Sequence, residues 1–232
     1  MKKIILFAFI SFLSMASYAQ FSFGPQVGVN FGFGHEKDDY FNSLTSQGVL
    51  VSDLARIGFT GGLVADIGFG KISFRPEINY VQKGSKTDFG VGNDVYRKWN
   101  LNYVEIPLNV VYNLKIPRLG KVFFGLGPAV SMGIGGKIKE KDVNGERSYK
   151  VKFDGEKNPT DYKLHLKGLD IGANVLAGIQ LKMGFFGRIG FTYDFVNLFP
   201  NKTYVDGNGN VNDFGYNNIG LNLCVGYMIG KK

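Results

Sequence analysis

A single cysteine, Cys224, leaves the chain without any intramolecular disulfide framework. The only histidines are His35 and His165, and no Cys/His spacing suggests a zinc site. Proline is scarce, with seven residues, and the 33 glycines sit inside alternating patterns, so the chain is not a low-complexity linker. Beyond the N-terminal stretch no run of 18 apolar residues occurs, which excludes a helical membrane span. No segment carries the helical period, and no Gly-rich loop leads into a helix that could cradle phosphate. No cofactor is expected.

What is present begins with a basic pair, Lys2 and Lys3, followed by the apolar run Ile4–Ala16 and the small-x-small site Ser17-Tyr18-Ala19. This is the pattern of a secretory signal peptide, predicted to be cut after Ala19. Gln20 follows the cut, so no lipoprotein anchor is indicated. Residues 1–19 are thus read as the signal peptide and 20–232 as one domain. Losing Lys2 and Lys3 lowers the formal charge from +8 by two. A basic balance can mean nucleic acid, but an exported protein meets acidic lipid head groups and polysaccharide instead.

The rest alternates with period two, the signature of strands with unlike faces. In ISFRPEINYVQKGSK (72–86), Ile72, Phe74, Ile78 and Tyr80 share one parity, Arg75, Glu77 and Asn79 the other. In LNYVEIPLNVVYNL (101–114), Val104, Ile106, Leu108, Val110 and Tyr112 alternate with Tyr103, Glu105, Asn109 and Asn113. Comparable segments start near 25, 57, 122, 169, 188 and 218, giving about eight. Odd-numbered segments end in long polar loops, 34–56, 84–98, 135–167 and 199–216; even-numbered ones end in tight turns near 69–71, 115–120 and 183–187. This alternation predicts an all-β, eight-stranded, antiparallel up-and-down transmembrane β-barrel, with short periplasmic turns and long extracellular loops.

Parity alone does not decide which face is inside. A soluble barrel would put its apolar residues inward. Here the polar set, which holds Asp66, Arg75, Glu77, Glu105, Asp170, Lys182, Arg188 and Asp194, is rich in Gly and suits a crowded interior, so the apolar set is expected to face lipid. Four charged residues of the polar set are expected to meet there. Asp66 and Arg75 sit on strands joined by the turn at 69–70, with Glu77 and Glu105 on the same face. Two carboxylates in a confined lumen repel unless a cation lies between them. Arg75 is therefore expected to bridge Asp66 with Glu77 or Glu105, as a plug and not as a catalytic acid pair.

Other chemistry is thinly supported. DGNGNVND (206–213) has calcium-loop spacing, but Val211 replaces the turn Gly and Asn217 the bidentate Glu, so no metal is assigned. His165 with Asp161, and His35 with Ser43 and Ser46, are the only candidates for catalysis at the outer rim; loop histidines are more often bystanders, and no enzyme is expected. Asn144-Gly145 favours a hairpin turn within the third long loop, which carries nine basic and six acidic residues between Lys137 and Lys167.

Pro-Glu-x-x-Tyr-x-x-Lys-Gly (76–84) and Tyr-x-Glu-Ile-Pro (103–107), within a chain that alternates throughout, resemble the PorT-like outer-membrane β-barrel family. The resemblance implies an OmpX-like small barrel of the porin-like type in the outer membrane. It does not carry over a secretion role. The chain departs from many such barrels by ending Gly230-Lys231-Lys232 and not on an aromatic residue. The expected function is a non-enzymatic barrel presenting outer loops for adhesion, complex formation or envelope integrity. The expected partners are outer-membrane lipid and glycolipid, and another envelope protein. A narrow transport channel or a rim-located lipid-modifying enzyme is the alternative.

Overall fold

A computed structural model describes residues 20–38, 51–90, 95–142, 144–156, 163–200, 203–205 and 211–230, with backbone only for 35–38, 51, 203–205 and 211–214. The expected signal peptide, Ser43, Ser46, Asp161 and the tip of the calcium-like loop lie outside these residues. The described chain is all-β. Its strands are β1 Gln20–Asp38, β2 Val51–Phe69, β3 Ile72–Lys83, β4 Ser85–Phe89, β5 Tyr96–Ile116, β6 Gly120–Asp142, β7 Gly145–Lys152, β8 Leu164–His165, β9 Leu169–Leu181, β10 Phe185–Asp194, β11 Thr203–Val205, β12 Val211–Tyr227 and β13 Ile229–Gly230.

Each long strand pairs antiparallel with its neighbour: β1 with β2, β2 with β3, β3 with β5, β5 with β6, β6 with β9, β9 with β10 and β10 with β12. β12 in turn pairs with β1, so the run of pairings returns to its starting strand and leaves neither β1 nor β12 as an open edge. β4 continues β3 past Gly84 and pairs with the same two neighbours, β2 and β5. Gly84 has φ 121° and a Cβ there would run into the Trp99 carbonyl, so the break needs glycine.

The two faces are opposite in character to those of a soluble sheet protein. Apolar residues such as Ile57 (69% exposed), Leu126 and Val225 point outward, whereas Arg75 is fully buried. Leu108 is exposed and the adjacent Asn109 buried. Two apolar clusters share the buried face with the polar set. One, nearer the short turns, comprises Val64, Val111, Phe123, Leu176, Phe186 and Met228. The other lies towards the long loops and includes Trp99, Leu101, Tyr103, Ile138, Leu166 and Tyr216.

The strands reach further than the alternating segments suggested. Parts of all four expected loops, 34–56, 84–98, 135–167 and 199–216, are strand, because β1, β2, β5, β6 and β12 extend into them and β4, β7, β8 and β11 lie within them. A hairpin is present there, but its last pair is Asp142 with Gly145, so Gly145 stands in the closing pair and not beside Asn144 in a two-residue turn. Between β5 and β6 the register slips: Asn102 faces Gly135 and Tyr103 faces Gly133, so Ile134 is an extra residue. Gly135, at φ 151°, accommodates this β-bulge. Below the bulge the odd positions Phe123, Ala129 and Ser131 are buried, and above it the even position Ile138 is.

Candidate functional site

Strand alternation sends every second side chain of β1, β2, β3, β5, β6, β9, β10 and β12 to the buried face. The charged ones among them sort into layers. Nearest the short turns, the register Val64↔Glu77 and Ile67↔Phe74 sets Asp66 across from Arg75. The Arg75 Nη2 donates to Asp66 Oδ2 at 3.2 Å, and Lys121 Nζ reaches the same oxygen at 2.9 Å. The Arg75 guanidinium carbon lies 4.1 Å from the Phe123 ring centroid and 5.6 Å from that of Phe186. Its Nε and Nη1 have no acceptor among the described residues, and the ring faces supply the electrostatic contact instead.

In the next layer Glu77 Oε2 accepts from Arg188 Nη2 at 2.7 Å, Gln26 Nε2 at 2.7 Å and Asn79 Nδ2 at 2.9 Å. Arg188 also donates to Gln26 Oε1 at 3.0 Å and Asn222 Oδ1 at 2.5 Å. A third layer centres on Lys83, whose Nζ contacts Glu105 Oε2 at 2.6 Å, Asp194 Oδ2 at 2.7 Å and Ser131 Oγ at 3.0 Å. Above it Asn218 Nδ2 donates to Asp170 at 3.2 Å and to the Tyr103 hydroxyl at 3.3 Å. The loop-end cluster closes the stack, with Trp99 stacked on Tyr216 at a centroid distance of 4.5 Å.

All four residues expected to meet are buried on this face, but in three separate groups. Asp66 and Arg75 are together. Glu77 is held by Arg188 and Glu105 by Lys83, so Arg75 bridges to neither. The register explains Glu105: Arg75 faces Asn109 and Asn79 faces Glu105, which puts Glu105 four residues, roughly 13 Å, further along the strand. Lys83 was legible in principle, since it shares the parity of Arg75 and Glu77. Arg188 and Asp194 belonged to the inward set, but no local pattern pairs them with β3. Lys182, read as inward, is exposed because β9 ends at Leu181.

Outside the stack, His165 Nδ1 lies 2.7 Å from Asp154 Oδ1 and 3.6 Å from Glu156 Oε2. Its hydrogen bond holds the Asp154 carboxyl below the usual carboxylate range. Among the described residues these three offer the one set of His, Cys, Asp or Glu ligand atoms able to converge on a cation, all within 4.8 Å. Both carboxylates are exposed, and the sequence spacing gave no hint of the group. Asp161, the expected partner of His165, lies outside the described residues, as does the His35 side chain.

A family model described as "Outer membrane protein beta-barrel domain" matches residues 15–200. No curated protein matches the chain. Among solved structures the chain is similar to the outer membrane protein OprG from Pseudomonas aeruginosa, at 11% identity over 91% of this chain and 96% of that one, with TM-score 0.47. It is also similar to Ail, the attachment invasion locus protein of Yersinia pestis, at 10% identity over 90% and 99%, with TM-score 0.41. Neisserial surface protein A gives 12% identity over 88% and 96%, with TM-score 0.39.

Proposed function

Because the chain belongs to the family of outer membrane protein beta-barrel domains, we propose that it is an eight-stranded transmembrane barrel, closed inside by ion pairs, that acts through its outward loops without catalysis. The eight are β1, β2, β3 with its continuation β4, β5, β6, β9, β10 and β12, whose pairings form a circuit. The observation that carries the reading is the inverted amphipathicity. An outward apolar band around buried Arg75, Lys83, Glu77 and Asp194 is unfavourable in water and favourable in hydrocarbon.

Within the family, the motifs at 76–84 and 103–107 support a PorT-like assignment, and residues 1–19 export through a signal peptide. The short turns then face the periplasm and the long loops the exterior. The β6–β7 hairpin projects beyond the lipid band and carries Lys137, Lys139, Lys150 and Lys152, suited to phosphate groups of surface glycolipid or to an acidic patch on another envelope protein. Adhesion, complex formation and envelope integrity are all contact functions of such a hairpin. A small barrel has room inside only for side chains, and here four polar layers occupy it. Planar-bilayer recording of the refolded protein tests this. No steady single-channel steps are expected, and their appearance would move the reading to a narrow channel.

A further inference from the structure

The two ends of the sheet differ in charge. The turn segments 68–71, 115–121 and 182–185 carry Lys71, Lys115, Arg118, Lys121 and Lys182, and no carboxylate. Between them opens a cavity of about 370 Å³, whose wall includes Asp66, Asn113, Lys115, Lys121, Gln180 and Lys182. That is the lower end of the range for small-molecule sites.

The wall is graded. Lys115 and Lys182 are exposed at the mouth, whereas Asn113 and Gln180 are each only 6% exposed, deeper in. Ser73 gives its hydroxyl proton to Asp66, so Asn113 Nδ2 donates to Ser73 Oγ at 2.9 Å and Oδ1 is the other end of the amide. Asn113 Oδ1 and Gln180 Oε1 are both buried and have no donor among the described residues. A buried acceptor left without a donor is costly, so the site calls for a ligand that brings its own N–H or O–H groups. Asp66 already takes up both floor cations, Arg75 and Lys121, which leaves the exposed Lys115 and Lys182 for a second anion. The negative group is therefore held at the mouth, by Lys115 and Lys182.

We propose that this cavity binds a small carboxylate that also carries hydroxyl or amide donors, the anion at Lys115 and Lys182 and the donors against Asn113 and Gln180. A lipid phosphodiester fits poorly where its head group carries no N–H or O–H donor. A sugar acid and a short peptide with a free C-terminus share the required chemistry. The site does not depend on whether the barrel conducts or on what its outer loops touch.

Calorimetric titration of the refolded full chain in uncharged amine-oxide micelles tests the proposal. N-acetylmuramic acid and alanyl-alanine are the carboxylate probes; N-acetylglucosamine and inorganic phosphate are the controls. At least one carboxylate is expected to bind saturably, about tenfold more tightly than either control. Tighter binding of the sugar acid or of the dipeptide identifies the source. The exposed pair Lys115→Gln and Lys182→Gln should weaken binding about tenfold with the circular dichroism spectrum unchanged. Gln180→Leu, which leaves the charge alone, should weaken it roughly threefold or more. No saturable binding, phosphate binding as tightly as the carboxylates, or indifference to the two lysine changes would each overturn the proposal.

Discussion

Strand β5 holds two regions of opposite construction. Its odd positions are buried from Trp99 to Asn113, yet Trp99, Leu101 and Tyr103 are apolar or aromatic, while Glu105, Asn109 and Asn113 are polar, with Pro107 and Val111 between them. The even positions reverse in step: Lys98, Asn100 and Asn102 give way to Val104, Ile106, Leu108, Val110 and Tyr112. One strand with one parity is built like a soluble protein above residue 103 and inside out below it. The backbone geometry is the same in both halves, so the difference lies in the medium around them. Water rewards an apolar inside, and hydrocarbon rewards an apolar outside. The bulge at Ile134 falls at this changeover. Without it, Lys137 and Lys139 would turn inward and Ile138 outward.

The largest expected effect lies in the lower region. Lys83→Met leaves Glu105 and Asp194 facing each other without their cation and should cost roughly 3–5 kcal/mol in urea unfolding from vesicles. Arg75→Ala should cost less, because Asp66 keeps Lys121 at 2.9 Å. The reverse order would mean that the layers are wrongly drawn. Leu108→Arg should come next, at roughly 2–4 kcal/mol for a cation at mid-membrane depth, with Asn109→Ser mild beside it. Equal effects would sink the assignment of faces. Lys98→Leu tests the upper region: an apolar outward residue there lies in water, and the change should stay within about 0.5 kcal/mol. A cost or gain comparable to that of Leu108→Arg would erase the boundary.

The smallest effect concerns the loop. Asp154 titrates below the ordinary carboxylate range because His165 bonds it. A depressed folded value contributes above the unfolded one and is lost as pH falls through the folded one, here below about pH 4. Proton NMR of His165 should therefore sense a transition there that Asp154→Asn removes.

Most of the lower region is legible in the sequence, because lipid demands an apolar residue at every second position and tolerates few exceptions. That is why Val104 to Tyr112 announce a strand and Asn109 its inner face. The upper region is harder, since β5 and β6 keep pairing while their pattern inverts, and residues such as Lys98 and Lys137 look like loop. The partners inside are hardest of all. Asp66 and Arg75 lie on adjacent strands and could be matched from register. Arg188 reaches Glu77, and Lys83 reaches Asp194, each across 111 residues of chain and between strands that are not neighbours in the sheet. Parity assigns a face, but not which residue stands across the interior.

The reach from Lys83 to Asp194 has a kinetic consequence. β3 and β10 do not pair, so their charges meet only once the sheet has curved through its full circuit. Until then Lys83, Glu105 and Asp194 need water, and strands cannot enter the bilayer one at a time without stranding an ion. Insertion and closure should therefore advance as one event. With Leu108→Trp quenched by brominated lipid to report depth, and a dye pair on β1 and β12 to report closure, both signals should rise in a single phase; depth gained well before closure would separate the two.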